Sequence, residues 1–152
     1  MLIYEGIFFE GKDADLIHAL EDKQLENVND NLHCTFKYRP NNSEIFNEIV
    51  GKTFEIYIVG YGNDGMNSGF EVLLPDELKK YYINYEEKEQ NILRTPHITT
   101  SLSNGAKAVN TKNLKFNKLK KTVKITGKFG FWIQDKQRQY LSYKPYFKTK
   151  VK

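Results

Sequence analysis

The sequence predicts an α+β fold of two lobes, in which antiparallel sheets with flanking helices enclose a central cleft. Strand-like and amphipathic segments alternate along the 152 residues, a length that suits a single domain over residues 1–152. The tripeptide His-x-Thr occurs twice, at His33 and at His97, whereas composition alone leads us to expect roughly 0.18 such tripeptides. This repeat indicates two corresponding halves that each contribute one histidine strand.

The first strand and the first helix come from the beginning of the chain. Leu2 to Phe9 is largely apolar, which is typical of a strand. Residues 12–25 have apolar positions at helical spacing and predict an amphipathic helix. The apolar face of this helix consists of Leu16, Ile17 and Leu20. His18 points away from that face, and we expect it to lie in solvent without a role.

Strands and turns continue through the middle of the chain. Residues 31–38 and 53–61 are rich in aromatic and β-branched residues and predict strands. Between them, a short helix over residues 43–50 begins at a serine, which is a suitable N-cap. The glycine- and asparagine-rich residues 62–69 predict a turn that returns into a strand over residues 70–74.

The segments around the second histidine are less regular. Pro75 is suited to open a short helix, and the polar residues 81–94 receive no assignment. A strand that begins at His97 follows, and it leads into a loop over residues 103–111.

The last part of the chain predicts a strand pair. A long strand over residues 122–134 is joined by a tight turn to a partner over residues 139–143. The chain beyond Pro145 is basic, and we expect it to be loose.

Each predicted histidine strand presents its histidine and its threonine on the same face. Side chains alternate between the two faces of a strand, so positions i, i+2 and i+4 project together. The residues that share these faces are His33, Thr35 and Lys37 in the first strand and His97, Thr99 and Ser101 in the second. Cys34 belongs to the opposite, apolar face, and we expect it to be a buried thiol.

Two imidazoles and two hydroxyls around one small space suit phosphoryl transfer without a metal ion. One neutral imidazole can accept a proton from the attacking group, while the other, as imidazolium, donates a proton to the departing oxygen. The threonine hydroxyls can donate hydrogen bonds to phosphate oxygens, and Lys37 adds positive charge beside them. Which histidine is the acid stays open.

Three separated histidines and one cysteine form no ligand cluster, so we expect neither a metal nor a cofactor.

At these residues the chain resembles the 2H phosphoesterase superfamily, which is named for two His-x-Thr/Ser motifs on pseudo-symmetric halves. It is most similar to the cyclic phosphodiesterase domain of tRNA ligases and to the stand-alone phage and bacterial relatives of that domain. Residues 59–65 and 97–109 carry this second similarity, and the resemblance extends from the first strand to about Phe131.

The resemblance implies metal-independent cleavage of phosphodiesters next to a ribose 2′ or 3′ oxygen. It implies that His33 and His97 are the acid–base pair. It also implies that Thr35 and Thr99 bind the phosphate.

Four further residues are candidates for substrate binding. Lys107 lies in a glycine-containing loop that can approach a phosphate, and a plain connecting loop is an equally good interpretation. Tyr4, Tyr61 and Trp132 are candidates for stacking on a nucleobase, with core packing as the alternative for each. The resemblance favours Tyr4, because the first strand lies beside the cleft in that superfamily.

The net charge of +4 conceals a strong asymmetry along the chain. Residues 1–111 contain 10 Lys and Arg against 18 Asp and Glu, whereas residues 112–152 contain 13 basic residues and one acid, Asp135. Such a basic segment attracts phosphate-rich ligands. Lysines on an outer strand also prevent aggregation, so both interpretations stand.

We therefore expect a metal-independent phosphodiesterase that acts on RNA 2′,3′-cyclic phosphate ends or on small nucleotides. One alternative keeps this chemistry in a phage-type anti-defence enzyme that cleaves cyclic oligonucleotide immune signals. A second alternative is a non-catalytic module that sequesters a nucleotide. The single cysteine and the lack of a signal-peptide or membrane-span pattern favour a cytoplasmic protein without a membrane partner.

Overall fold

The computed structural model describes residues 1–82 and 95–147, together with the backbone of residues 86–87 and 92–93. Predictions for the remainder of the polar segment 81–94 and for the end of the basic tail lie outside these residues. Strands dominate the described part of the chain. None of the helices found there is long and apolar enough to cross a membrane.

The strands and helices alternate along the chain. The strands are β1 (Leu2–Phe8), β2 (Asn27–Val28), β3 (His33–Tyr38), β4 (Thr53–Asn63), β5 (Asn67–Leu73), β6 (Glu86–Glu87), β7 (Ile92–Leu93), β8 (His97–Leu102), β9 (Asn117–Gln134) and β10 (Gln139–Ser142). The α-helices are α1 (Gly11–Leu20) and α2 (Asp76–Tyr82), and 3-10 helices occur at Asn42–Glu44 and Ala108–Asn113.

Eight of these strands form one mostly antiparallel sheet that is strongly curled into a half-barrel. Neighbouring strands follow the order β2, β8, β5, β4, β9, β1 and β3, and β10 pairs with β9. The short strands β6 and β7 pair with each other. Cα atoms of β3 lie within 8 Å of Cα atoms of β8, although the two strands are far apart in the sheet order. The curl therefore brings the two histidine strands together.

Strand β9 joins the two sides of the half-barrel. The first part of β9 pairs with β4 and ends at Lys128, which stands opposite Thr53. The second part pairs with β1 and begins at the same Lys128, which also stands opposite Phe8. The predicted α+β class and antiparallel pairing are confirmed. The two histidine strands nevertheless belong to one sheet and not to two separate sheets, because β9 continues from one side to the other.

Helix α1 is shorter than predicted, and its faces differ from the prediction. It ends at Leu20 because Glu21 leaves the helical conformation, with φ −94° and ψ 103°. Ile17 is buried as expected, but Leu16 is 39% exposed. His18, which we expected in solvent, is half-buried, and its Nδ1 is enclosed without a hydrogen-bond partner among the described residues. Ile17 and Leu20 of the predicted apolar face therefore contact the core, whereas Leu16 does not.

The predicted helix over residues 43–50 is wrong. A single 3-10 segment, Asn42–Glu44, forms there instead. It begins after Asn41, whose backbone N–H donates to Glu44 Oε1 at 3.0 Å. Ser43 donates its hydroxyl to Asn41 Oδ1 at 2.7 Å, so it does not act as the N-cap.

The remaining predicted strands, and the helix after Pro75, are confirmed to within a few residues. Strand β9 begins at Asn117, before the predicted start at residue 122, and the two-residue strand β2 was not predicted. Strand β2 lies at the edge of the sheet, whereas the early part of β9 belongs to a central strand and pairs with β4. In both places pairing partners and not the local sequence decide the ends of a strand.

The core consists of aromatic and branched side chains from both sides of the half-barrel. The largest fully buried strand residues include Ile7, Phe36, Ile56, Ile58, Phe70, Ile98 and Phe129. Leu78 of α2 covers the core from outside the sheet and is also fully buried. The predicted burial of the Cys34 thiol is confirmed. Full burial of one such large apolar side chain contributes about 1.5–3 kcal/mol.

Each histidine strand meets a glycine on its partner strand. Thr35 stands opposite Gly6 of β1, and Thr99 stands opposite Gly69 of β5. A Cβ atom at either glycine would collide with the carbonyl oxygen of the residue before the threonine. The backbones approach closely at these two places because glycine has no Cβ.

A β-bulge follows each His-x-Thr tripeptide. The pairing of β3 with β1 skips Phe36, and the pairing of β8 with β5 skips Thr100, so the extra residue directly follows the threonine in both strands. A bulge interrupts the alternation of side chains between the two faces of a strand. Residues beyond the threonines therefore change faces.

We predict that Gly6→Ala and Gly69→Ala each lower the free energy of unfolding by about 2 kcal/mol or more. The added methyl group must displace a backbone carbonyl, which cannot rotate away as a side chain can. Urea denaturation measures the loss, and Thr53→Ala at the exposed start of β4 serves as a control with an effect of about 0.5 kcal/mol or less. Equal losses in all three variants would contradict the close approach.

Candidate functional site

His33 and His97 each begin a strand, and the same hydrogen bond orients both rings. Nδ1 of His33 lies 2.7 Å from the carbonyl oxygen of Asn31, and Nδ1 of His97 lies 2.8 Å from the carbonyl oxygen of Thr95. A carbonyl oxygen only accepts, so Nδ1 is the donor in both rings. The basic lone pair of each neutral imidazole therefore belongs to Nε2.

The surroundings keep His33 neutral at physiological pH. Burial lowers the pKa of His33 to about 4, the hydrogen bond to Asn31 opposes this effect in part, and positive charge on His97 lowers the pKa further. This influence of His97, together with the approach of β3 to β8, shows that the two imidazoles share one region. A proton on one ring therefore disfavours a second proton on the other.

Two asparagines connect the histidine strands directly. Asn29 donates its backbone N–H to the Thr100 carbonyl at 2.9 Å and its side-chain amide to the Thr99 carbonyl at 2.8 Å. Its side-chain oxygen accepts the backbone N–H of Asn31 at 3.1 Å, and Asn31 is the residue that orients His33. Sequence reasoning missed both residues, although asparagine alternates along residues 27–31 directly before the first histidine.

Thr35 and Thr99 are half-buried on the faces that carry the histidines, as predicted. In both strands the residue between histidine and threonine is fully buried, so the alternation holds up to the threonine. The Thr99 hydroxyl donates to Thr111 Oγ1 at 3.0 Å, and the same Thr111 oxygen accepts the side-chain amide of Asn67 at 3.0 Å.

The predictions for Lys37 and Ser101 are wrong, because both residues follow the bulges and lie on the opposite face. Lys37 stands opposite the buried Glu5 and forms an ion pair with Glu44 at 3.8 Å. Ser101 stands opposite Ser68 and is fully buried.

The bulge in β3 brings Tyr38 to the face of His33 instead. Tyr38 stands opposite Tyr4 and is 57% exposed, whereas uninterrupted alternation would put it on the face of Cys34. The guanidinium of Arg39 lies 5.5 Å from the centre of its ring. An exposed aromatic ring with an adjacent cation thus borders the His33 side of the site.

Aromatic rings surround His33. The Tyr4 ring stacks on the His33 ring with centroids 4.6 Å apart, and its hydroxyl accepts the side-chain amide of Asn31 at 2.8 Å. Burial raises the pKa of Tyr4. The Trp132 ring lies 6.1 Å from Tyr4, and Phe8, which the sequence did not single out, lies 5.5 Å from His33. The structure therefore brings the predicted Tyr4 and Trp132 to the first histidine.

Tyr61 does not join this aromatic group. Its ring packs 5.0 Å from the buried Phe70, and its hydroxyl donates to Glu21 Oε2 at 2.5 Å. Burial and this hydrogen bond raise the pKa of Tyr61 to about 12. Of the two roles that the sequence left open for Tyr61, the structure favours core packing, because the Tyr61 ring packs on the core and its hydroxyl donates to a carboxylate that follows α1.

Glu21 forms a buried polar cluster behind β8. Besides Tyr61, the carboxylate accepts the hydroxyls of Thr100 at 3.0 Å and Ser101 at 2.9 Å. Ser101 Oγ also accepts the backbone N–H of Leu25 at 2.9 Å. The cluster fixes the bulge that directly follows Thr99, and no local signal in the sequence identifies Glu21.

Lys107 and the second histidine have different surroundings. The Lys107 carbonyl accepts the side-chain amide of Asn67 at 2.8 Å, and Lys107 lines a cavity with Asp64 and Asn110 that neither histidine lines. The contacts found for Lys107 are therefore with Asn67 and this cavity. Phe116, which sequence reasoning also missed, is the aromatic neighbour of His97, with ring centroids 6.3 Å apart.

The chain matches no protein-family model, and no characterised protein matches it. Over residues 1–82 and 95–147, no group of three or more His, Cys, Asp or Glu side chains is placed to hold a metal ion. The groups that the geometry offers are two imidazoles with basic Nε2 atoms, two threonine hydroxyls and a set of aromatic rings.

We predict that NMR titration of the imidazoles finds His33 neutral down to about pH 5, with its proton on Nδ1. The variant His97→Gln raises the pKa of His33, because it removes a positive charge that disfavours protonation. His18→Gln is the matched control and leaves the His33 titration unchanged. A His33 pKa that does not respond to His97→Gln would show that the rings do not share one region.

We predict that Glu21→Ala lowers the free energy of unfolding by about 3 kcal/mol, because three buried hydroxyls lose their acceptor. Tyr61→Phe removes one donor and its hydrogen bond, and the expected loss is about 1 kcal/mol. Chemical denaturation measures both values. A Glu21 variant as stable as Tyr61→Phe would contradict the role of the cluster in holding β8.

Proposed function

We propose that this protein is a metal-independent phosphodiesterase that acts on 2′,3′-cyclic phosphate ends of RNA or on small nucleotides. The observation that carries the proposal is the paired orientation of the two imidazoles. Each donates Nδ1–H to the carbonyl two residues earlier, and each belongs to one of two strands that approach within 8 Å. Such a pair is suited to transfer protons at two oxygens of one phosphate.

His33 is the general base in this proposal, and His97 is the general acid. The lowered pKa of His33 keeps its Nε2 free to accept a proton at neutral pH. A water molecule attacks phosphorus and gives its proton to His33 Nε2, while the bond from phosphorus to one ribose oxygen breaks. His97 gives its proton from Nε2 to that departing oxygen. Exchange with solvent then returns both rings to their starting states.

The threonine hydroxyls bind the non-bridging phosphate oxygens. Thr99 donates to Thr111 in the absence of substrate, but Thr111 carries its own proton and already accepts from Asn67. Reversal of the bond lets Thr111 donate to Thr99, and the Thr99 proton then points to the phosphate. Thr35 takes the corresponding role on β3.

The aromatic residues near His33 hold the nucleobase. Tyr38 is exposed beside Tyr4, and Trp132 is half-buried in the same row. Stacking on such rings binds any base with little sequence preference. Arg39, positioned over the Tyr38 ring, adds a positive charge at that end of the site.

We interpret the two histidine strands and their partners as pseudo-symmetric lobes of the 2H phosphoesterase type. Support comes from three features that recur in both halves: the histidine hydrogen bond, the glycine opposite the threonine, and the bulge directly after it. Strand β9 is then the connection between the lobes.

The test is a substrate panel in the presence of EDTA. It contains 2′,3′-cyclic mononucleotides, a 2′-5′ dinucleotide, and 3′-5′ and mixed-linkage cyclic di- and trinucleotides. We expect turnover that His33→Gln and His97→Gln each reduce by about 10²–10⁴-fold, while His18→Gln leaves it unchanged. Thr99→Ala lowers kcat by about 10²-fold. Preference for cyclic oligonucleotides would favour an anti-defence enzyme, and tight binding without turnover would favour a sequestering module.

The pH profile gives a separate prediction. The pKa of His33 is lowered, so the base form persists as the pH falls, and kcat/KM stays constant on the acid side until the pH approaches about 4. Initial rates between about pH 4 and about pH 8 measure the acid side of this pH dependence. An acid limb near the ordinary histidine value of about 6.5 would contradict the assignment of His33 as the base.

A further inference from the structure

A group of exposed lysines occupies the first half of β9 and the residue pair before it. We define this lysine strand by Lys115, Lys118, Lys120, Lys121 and Lys124, all of which are exposed. Among the described residues, Lys124 is the member that forms an ion pair, with Glu55 at 3.7 Å. Asp135 is the single acid within residues 112–152, so acids of the same segment do not neutralise these charges.

The strand register places Lys118 of the lysine strand on the same face of the sheet as His97. His97 stands opposite Glu71 of β5. Glu71 stands opposite Gly60 of β4, and Gly60 stands opposite Lys118 of β9. Directly opposed residues project from one face, and three strand spacings separate the backbones of His97 and Lys118 by about 14 Å.

Phe116 connects the lysine strand to the site. It lies two residues before Lys118, and its ring is 6.3 Å from the His97 ring at an interplanar angle of 28°. The positive surface therefore begins beside the second histidine and leads away from it.

We propose that the lysine strand binds the phosphate backbone of single-stranded RNA whose end occupies the histidine site. This inference depends on the proposed function and narrows its substrate class to an RNA end. A mononucleotide or a compact cyclic dinucleotide carries all its phosphates close to the site, whereas an RNA chain carries them along the whole surface. Lysine side chains bind RNA phosphates through charge alone, so this binding is independent of RNA sequence and sensitive to salt.

Glu71 lies on the path between His97 and the lysine strand. Its Oε1 is 2.7 Å from the position that a Cβ atom would take on Gly60, so the carboxylate covers that glycine. A negative charge here opposes RNA. Glu71→Gln should therefore tighten RNA binding, the opposite of the change expected for the lysines.

The experiment compares KM for an RNA of about 12 nucleotides ending in a 2′,3′-cyclic phosphate with KM for a 2′,3′-cyclic mononucleotide. With five lysines engaged, KM for the RNA should rise about 100-fold between about 50 and about 200 mM salt. In the triple variant Lys118→Gln/Lys120→Gln/Lys121→Gln, about two contacts remain and the rise should fall to about 7-fold. KM for the mononucleotide should change by less than about twofold in every case.

The matched control removes the same charge elsewhere, in Lys52→Gln/Lys79→Gln/Lys136→Gln. These three exposed lysines lie outside the lysine strand, and we expect KM for the RNA to change by less than about twofold. If the two triple variants change KM for the RNA equally, or if neither changes it, the inference about the lysine strand is overturned. Turnover of the substrates would still support the proposed function in that case.

Failure of the proposed function gives a different result, since no substrate is then turned over. Fluorescence anisotropy with the same RNA carrying a 3′-phosphate still tests the surface. Loss of RNA binding only in the Lys118/Lys120/Lys121 variant supports the inference. Binding to anionic lipid vesicles that depends on these lysines, without RNA binding, would overturn it.

Discussion

The close backbone approach at Gly6 and Gly69 is the constraint on which the site depends. At each glycine, the neighbouring strand moves in until a carbonyl oxygen occupies the space that a Cβ atom would need. The strand register shifts immediately beyond this contact. Within His-x-Thr the side chains therefore alternate regularly between the two faces, and after the threonine this alternation is interrupted. The two features together decide that histidine and threonine face the same space in both strands.

Buried carboxylates occupy the other face of both histidine strands. Glu21 accepts three hydroxyls behind β8, two of which belong to residues that directly follow Thr99. Glu5 is fully buried in β1, stands opposite Lys37, and accepts the backbone N–H of Phe46 at 3.2 Å. Burial of a charge is costly unless hydrogen bonds compensate for it, so these carboxylates restrict the positions that the strands can take.

The sequence was sufficient for features that depend on local periodicity. The pairing of each histidine with its threonine follows from the alternation of side chains over three residues, and it does not depend on the rest of the chain. Lys37 and Ser101 could not be placed in this way, because the bulges arise from the register with β1 and β5. The sequence could not decide between the two roles of Tyr61 for a similar reason, since its partner Glu21 is 40 positions away in the chain.

The continuity of β9 has a mechanical consequence for the space between the two histidine strands. At Lys128 this strand exchanges one pairing partner for another, and a Cβ on the adjacent Gly127 would meet the side chains of Ile7 and Phe9. A covalent backbone, reinforced by hydrogen bonds on both sides, therefore spans the junction where a hinge between independent lobes would otherwise lie. The distance between the two imidazoles is thus set by an element that resists bending, and the space between them is formed without any movement of one side against the other.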